Sequence, residues 1–474
     1  MKTAGRLSAA IEILTDFDRR RVPLKTAMAD WARGNRYAGA KDRAWISGLC
    51  LDALRKKNSL SAAMGEASPR ALALGAIRFL WRMPVDELGE ITTEESHGAG
   101  ALSEKEIQLL STSYPLIPAE AGIQTSGKLD PDPTAQRSDN KQRALARGRR
   151  DERDLELAPH IAGDFPEWMT PHITRIFGEE ATAIMAAFAV RADVDLRLNT
   201  LKAEPEKSLK ALKTVKGEAI SILTTSARIN APDPAIRAPA VTIIPAYNKG
   251  WLEVQDIGSQ IAAAAAGAVK GAQVLDYCAG GGGKTLALAA LMENTGQLYA
   301  YDKDARRLKP LFHRAKRAGL RNLQMRSPAG EEGLDDLEGK MDVVFVDAPC
   351  SGAGTWRRHP DTKWRLTETQ LARRIDEQDK VLAEAARFCK PGGRLVWVTC
   401  SFLKEENEDR LEIFLAEHSD FSISSVIEQI DASGLLTDEG REALASCVTP
   451  DGALRLTPDK LRADGFFVAV LTRE

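Results

Sequence analysis

Cysteine, histidine and long apolar runs are what this chain has least of. Six cysteines and six histidines are scattered over 474 residues. That is too few to staple a chain of this length by disulfides, so a reducing interior is expected. No window approaches the roughly eighteen uncharged apolar residues that a membrane-crossing helix needs. The longest apolar run, IAAAAAGAV at 261–269, is short and alanine-rich and suits a closely packed helix. Glu12, Asp16 and Asp18 interrupt the opening stretch, so a secretory leader is not expected either. These absences point to a cytoplasmic protein with no membrane partner. Net charge is nearly missing too: 65 Lys and Arg against 67 Asp and Glu leave −2, which by itself suggests no polyanionic partner. A 43% hydrophobic and 28% charged composition excludes collagen-like, coiled-coil-dominated and wholly disordered chains. The length suits about three domains.

The charge balance is an average over unlike parts. Residues 1–80 carry 15 Lys and Arg against 7 Asp and Glu. Such a local excess fits either a solvated helical surface or a module facing a phosphate backbone. Within 1–117, AIEILTDF, LKTAMADWA, RAWISGLCLDALRKK and PRALALGAIRFLW carry apolar residues at helical spacing, and Pro69 suits a first helical turn. Residues 118–152, with Pro118, Pro131 and Pro133 and the basic run NKQRALARGRR, read as a flexible linker or insertion. A small mixed domain is expected over 153–260, in which VDLRLNTL is a strand carrying Arg197 and Asn199 outward as candidate substrate contacts. Over 261–474, QVLDY, QLYAYD, NLQMR, VVFVD and GRLVWVTC alternate with helical stretches as in a parallel α/β sheet. GFFVAVLTR adds an antiparallel edge strand.

Four successive glycines, Gly280 to Gly283, stand between strand QVLDY and a helix. Such a run serves a tight turn or the close approach of a ligand. Gly283, Lys284 and Thr285 match the end of a phosphate loop, although Cys278 stands where its first glycine belongs. Alternatively, the turn holds a nucleoside cofactor. Asp302, nineteen residues beyond Gly283 at the end of the next strand, is then placed for the ribose hydroxyls.

Two cysteines stand apart from the rest. Cys350 follows the strand ending at Asp347, and Cys400 closes GRLVWVTC. Sites in open α/β sheets form beyond the carboxyl ends of the strands, so a catalytic thiolate is favoured over packing. No metal site is expected, because neither C-x-x-C nor C-x-x-H surrounds either cysteine. Beyond Cys350, Arg357, Arg358, His359, Lys363 and Arg365 interleave with Trp356 and Trp364. Guanidiniums grip phosphates and tryptophans stack on bases, so this segment reads as a nucleic-acid contact, the alternative being a solvated loop with buried tryptophans.

VLDYCAGGGGKT, DAPCSGAGTWRRHPDTKW and VTCS closely resemble the hallmark motifs of the RsmB/NOP/Sun group of RNA cytosine-5 methyltransferases. WLEVQDIGSQ and LRLTPDKLRADGFFVAVLTR are similar to it as well. AKDRAWISGLCLDALRKK resembles the NusB-like helical RNA-binding domain of the bacterial 16S rRNA enzymes of that group. The resemblance implies an α/β fold: a Rossmann-like class I S-adenosylmethionine-dependent methyltransferase sheet, preceded by a small α+β domain and an all-helical NusB-like domain. It implies Cys400 as the nucleophile on cytosine C6, Cys350 as the residue assisting product release, and Asp347 at the pyrimidine edge. S-adenosylmethionine would lie among Cys278, Ala279, Gly280, Gly281, Gly282, Gly283 and Lys284, with Asp302 and Asp347 beside it. Arg357, Arg358, Lys363 and Trp364 are the candidate contacts to RNA, expected to be 16S rRNA with tRNA as the second choice, and the enzyme is expected to be a monomer. A non-catalytic rRNA assembly factor and a phosphate-loop nucleotidase are the competing classes. Gly280 and Gly281 replace the Ala and Pro usual in the group, and Ser327 and Pro328 stand where it usually has an acid near the adenine.

Overall fold

The computed structural model describes residues 1–94, 97–112, 114, 157–234, 236, 240–328 and 333–474. The segment 118–152, expected to be a linker, lies outside them. The N-terminal part is helical: α1 (Thr3–Arg20), α2 (Leu24–Gly34), α3 (Ala40–Arg55), α4 (Lys57–Met64), α5 (Pro69–Gly75), α6 (Val85–Thr92) and α7 (Glu104–Leu110). Leu7, Ala10, Ile13, Leu14 and Phe17 recur every three or four residues along α1, and all are buried. Pro69 opens α5 behind Ser68, whose hydroxyl accepts from the Ala71 N–H. Part of the basic excess of this region is neutralised locally: Arg6 pairs with Asp42, Arg20 with Asp16 and Asp30, and Lys57 with Asp18.

Strands β1 (Val194–Leu198), β2 (Gly217–Ala219), β3 (Ser226–Ile229) and β4 (Leu252–Val254) form an antiparallel sheet in the order β2-β3-β1-β4. Alternation along β1 sends Leu196 and Leu198 into a core with Leu212, Ile244 and Leu252. Asp195, on the opposite face, accepts from Arg228 and from the Ile257 N–H.

The C-terminal sheet contains β5 (Gln273–Asp276), β6 (Gln297–Tyr301), β7 (Leu323–Arg326), β8 (Met341–Asp347), β9 (Cys389–Thr399), β10 (Phe421–Ser424), β11 (Leu454–Leu456) and β12 (Phe466–Arg473). Its order is β10-β12-β9-β8-β5-β6-β7, with β11 also on β12. Strands β5 to β9 pair in parallel, and β12 runs antiparallel to β9. Val343, Phe345, Val396, Val398 and Val470 face one apolar layer. Val344, Val346, Leu395, Trp397 and Ala469 face the other. Burial on both faces explains the near-continuous apolar strands.

The expectation for the last strand holds for direction and fails for position. Strand β12 is not an edge, because β10 covers its residues 470–473 and β11 covers 466–468. These outer strands are four and three residues long, too short to leave a pattern in sequence. Because β5 continues to β6 on one side and meets β8 on the other, a crevice opens between the β5 and β8 loops. Both the glycine turn and the Cys350 loop reach it.

Candidate active site

The turn after β5 is shaped by its glycines. Gly280 has φ 51° and Gly282 φ 80°, in the left-handed region that disfavours a Cβ. At Gly282 a Cβ would also lie 2.2 Å from Cδ1 of the buried Leu311. The Gly280 N–H donates to Asp302 Oδ2 at 3.0 Å, and Asp302 Oδ1 accepts from the Asp304 N–H at 2.9 Å. Arg307 pairs with the same carboxylate at 3.1 Å. The two residues that a phosphate loop would turn toward a nucleotide and its metal are instead held by carboxylates of the protein. Lys284 Nζ donates to Asp347 Oδ2 at 2.8 Å, and Thr285 Oγ1 to Asp276 Oδ2 at 2.6 Å. Burial raises the Asp276 pKa to about 7 despite that bond. Burial also works against the Lys284 ammonium, yet Asp347, with lesser contributions from Cys400 and Asp276, keeps its pKa above the ordinary value.

The two cysteines meet. Strands β8 and β9 are parallel neighbours, so Cys350 and Cys400 emerge at the same end of the sheet with their sulfurs 3.3 Å apart. The Cys350 thiol is pushed well above its usual pKa, first by its hydrogen bond with Cys400, then by burial and by the charges of Cys400 and Glu406. Cys278 is also raised by burial, as an unreactive thiol would be.

Beneath the pair lies a polar network that sequence reasoning missed. Glu406, fully buried, accepts from the Ser351 N–H at 2.7 Å, from Ser351 Oγ at 2.6 Å and from Gln378 Nε2 at 3.3 Å. Gln378 Nε2 also donates to the Pro349 carbonyl at 2.9 Å. On the Cys400 side, Thr399 Oγ1 donates to Asn407 Oδ1, and Asn407 Nδ2 returns a bond to the Ser401 carbonyl. The loop on each side of the pair is thus tied down by side chains. The only trace of this in sequence is the pair Glu406-Asn407 closing KEEN shortly after Thr-Cys-Ser.

The expected RNA contacts require correction. Arg357 is 3% exposed and donates from Nη1 to the Ala463 carbonyl, while its own carbonyl accepts from Arg55 Nε. Arg358 bridges Asp464 and Asp256, each at 2.7 Å. Lys363, 1% exposed, donates to the carbonyls of Arg55 and Asp164. Trp364 Nε1 donates to the Leu54 carbonyl at 2.6 Å. These four side chains join the helical domain, the small domain and the sheet. Their partners lie about a hundred residues or more away in the chain, which is why a basic, tryptophan-bearing stretch looked solvent-facing. Arg197 and Asn199 do not point outward either. Arg197 is buried with Nε on Gln255 Oε1, and Asn199 Nδ2 donates to the Gly250 and Ala318 carbonyls, joining the small domain to the end of the helix Ala305–Ala318.

A doubly wound sheet, a glycine turn facing an acid at the next strand end, and a crevice between them define a Rossmann-like domain built to hold a nucleoside cofactor. Residues 265–472 match the family model of the 16S rRNA methyltransferases RsmB/F, and residues 165–231 match the RsmF/B-like ferredoxin-like domain. The chain is 31% identical over 339 residues to a probable ribosomal RNA small subunit methyltransferase B of Synechocystis sp., covering 70% of this chain and 72% of the relative. It is 28% identical over 313 residues to a probable ribosomal RNA small subunit methyltransferase B of Bacillus subtilis, covering 65% and 66%. The chain belongs to the RsmB/F methyltransferase family. In fold it is similar to a methyltransferase homolog protein from Pyrococcus horikoshii (TM-score 0.52, 24% identity, 67% of this chain and 98% of that one). It is also similar to NSun6 from the same organism, solved with SFG (TM-score 0.54, 21% identity, 65% and 98%).

The residues present suit S-adenosylmethionine. Gly281 and Gly283 leave open space where a Cβ would stand, apart from one Arg314 nitrogen 3.8 Å from Gly281, so bare backbone faces the crevice. Asp302, paired with Arg307, would offer carboxylate oxygens to ribose hydroxyls, and Asp347, paired with Lys284, would stand near the methionine moiety. At the end of β7 the half-buried Ser327 and exposed Pro328 offer no acid.

Proposed function

We propose that this chain methylates C5 of a cytosine in RNA, specifically 16S rRNA, through a covalent bond between Cys400 and C6 of the base. The observation that carries the reading is the pair of thiols 3.3 Å apart at the ends of adjacent parallel strands, beside Asp347 and Lys284. A base must leave its stack to reach them, so the substrate is a single-stranded or flipped cytidine.

Two thiolates this close would repel each other strongly. Cys350 keeps its proton, because its hydrogen bond to Cys400, burial and the charge near Glu406 all disfavour its ionisation. That leaves Cys400 as the nucleophile, with the Lys284 ammonium nearby as the compensating cation. Its thiolate adds to C6. The S–C6 bond forms as the C5–C6 π pair moves onto C5, which becomes nucleophilic. Cys278 to Lys284 and Asp302 would hold S-adenosylmethionine, whose sulfonium methyl would pass to C5 as its S–CH3 bond breaks, leaving neutral S-adenosylhomocysteine. Loss of the C5 proton to solvent then restores the C5–C6 double bond and expels Cys400 as thiolate. The Cys350 S–H donates to the departing sulfur and so favours release. Asp347, about one third exposed and fixed by Lys284, holds the pyrimidine edge.

The family membership and the relatives named as small subunit methyltransferases support rRNA as the substrate. The helical N-terminal domain, locked against the catalytic sheet, would extend the RNA-binding surface. The test is incubation with labelled S-adenosylmethionine and small-subunit RNA. Label is expected at C5 of one cytosine and absent with Cys400→Ala, and Cys350→Ala should accumulate an RNA–protein adduct that survives denaturation. Methylation unaltered in Cys400→Ala overturns the nucleophile. Normal turnover without adduct in Cys350→Ala overturns the release role, and label on tRNA alone overturns the substrate.

A further inference from the structure

With Arg357, Arg358 and Lys363 committed to holding domains together, the positive charge that meets RNA beside the cysteines must come from elsewhere. A cavity of about 300 Å³ opens beside Cys350, lined by Cys350, Ser351, Thr362, Arg365, Arg373 and Arg374, and among the described residues no carboxylate lines it. Gln370, Arg373 and Arg374 project from the helix Glu368–Ala386 at steps of three and four residues, hence from one face. The same row continues to Gln378, which donates to the Pro349 carbonyl next to Cys350. This helix face therefore leads from solvent to the loop that carries the release cysteine.

The exposure of its guanidiniums separates this groove from the larger basic cleft between the helical domain and the sheet, whose arginines are mostly buried in ion pairs. There, Arg6 is answered by Asp42, Arg55 and Arg191 by Asp52, and Arg358 by Asp464 and Asp256. In the groove beside Cys350, Arg373 and Arg374 share the single carboxylate of Glu377. The Arg373 side chain is 77% exposed and that of Arg374 42%, so both guanidiniums are free to turn to a ligand. Arg365, half-buried, donates from Nε to the Arg21 carbonyl at 3.1 Å and lies against Asp361 at 3.7 Å, so it is held in place at the inner end of the groove while Arg373 and Arg374 stay mobile; Asp361 in turn accepts from the Leu24 N–H.

We infer that this groove seats the phosphates flanking the target cytidine, with Arg373 and Arg374 as the outer contacts and Arg365 as the inner one. The inference rests on the RNA reading above and names the residues of this chain that carry the strand to Cys350. Planar guanidiniums grip phosphate oxygens in pairs, and two contacts in succession along one helix face fix the strand's direction as well as its affinity.

The test measures binding of a short oligocytidylate across a range of salt, with KM and kcat on small-subunit RNA, for the wild type, R373A/R374A, R373K/R374K and Arg441→Ala. For R373A/R374A the Kd should rise about tenfold, and the slope of log K against log salt should fall by about 1.4, two phosphates at roughly 0.7 each on a single strand. KM should rise with Kd while kcat at saturation stays within about twofold. R373K/R374K should keep the wild-type slope, and Arg441→Ala should match the wild type throughout. S-adenosylmethionine binding reports folding; if R373A/R374A loses it, the inference is judged on Arg365→Ala, for which a slope lowered by about 0.7 supports the groove and an unchanged slope overturns it. A wild-type slope and Kd in a folded R373A/R374A overturn the groove while leaving the chemistry standing. Absence of C5 label from the wild type overturns the chemistry, and the salt slopes still judge the groove.

Discussion

Lys363 joins three parts of the chain, and its chemistry makes that joint sensitive to pH. Its Nζ donates to the Arg55 carbonyl at the end of α3 and to the Asp164 carbonyl, and it lies over the rings of Trp356 and Trp364. Burial brings its pKa down to about 7, with Asp164 opposing the shift and Lys56 and Arg55 adding to it. In the unfolded chain a lysine titrates near 10.4. Between these values the unfolded state binds a proton that the native state does not, so stability rises with pH. Below about 7 both states are protonated and the contribution is flat. From pH 7 to 8.5 the gain works out at about 1.6 kcal/mol, or about 3 °C in Tm at the low end of the usual conversion. Lys363→Met removes the titration while filling similar volume, and it also removes two hydrogen bonds worth about 1 kcal/mol each. The difference in Tm between wild type and Lys363→Met should therefore widen as pH rises from 7 to 8.5. Other titrating groups cancel in that difference. Parallel Tm curves over this range would refute the account of Lys363 as a buried, largely neutral amine above pH 7.

Other consequences are as direct. Gly282→Ala should lower Tm by several degrees and weaken S-adenosylmethionine binding, because its Cβ would overlap Leu311 at a left-handed φ, whereas Gly281→Ala, with nothing nearer than an Arg314 nitrogen at 3.8 Å, should change stability by under about 0.5 kcal/mol; equal effects in calorimetry would contradict the turn geometry. Asp52→Ala should cost about 3–5 kcal/mol in urea unfolding, since Arg55 and Arg191 lose their shared buried partner and Trp81 its acceptor. A loss under about 1 kcal/mol would remove Asp52 from the domain joint. Glu406→Gln takes a negative charge from beneath the thiols, so the Cys350 pKa should fall and alkylation at fixed pH, located by mass spectrometry, should quicken. An unchanged alkylation rate would show that Glu406 does not act on the pair.

What could be read beforehand was what repeats or stands in tandem. The strands of the large sheet are apolar on both faces, and that burial leaves a run in the sequence. Two cysteines after two strands of one parallel sheet must emerge on the same side, so Cys350 and Cys400 could be brought together on paper. The glycine turn and Asp302 followed from the same logic. What escaped depended on partners remote in the chain. Arg358 looks like a phosphate ligand until Asp256 and Asp464 are placed against it, and Arg197 looks exposed until Gln255 and the helix Ile257–Ala264 pack over β1. Glu406 looks like one more surface acid near a helix start until Ser351 and Gln378, far back in the chain, surround it. Strands β10 and β11 were too short to show any periodicity.

The place of β12 bears on when the molecule becomes competent. The strand that delivers Cys400 is flanked by β8, made before it, and by residues 467–472, made about seventy residues later. A ribosome that has just released Cys400 has therefore produced a strand with one open edge, whose backbone donors and acceptors wait for a partner not yet synthesised. The two sulfurs can be encoded and even adjacent, but the segment that seals β9 is translated only about seventy residues later. Maturation of the reactive pair is thus tied to synthesis of almost the whole catalytic domain, and a ribosome stalled before residue 466 would hold a product with an unpaired, aggregation-prone edge rather than a slow enzyme.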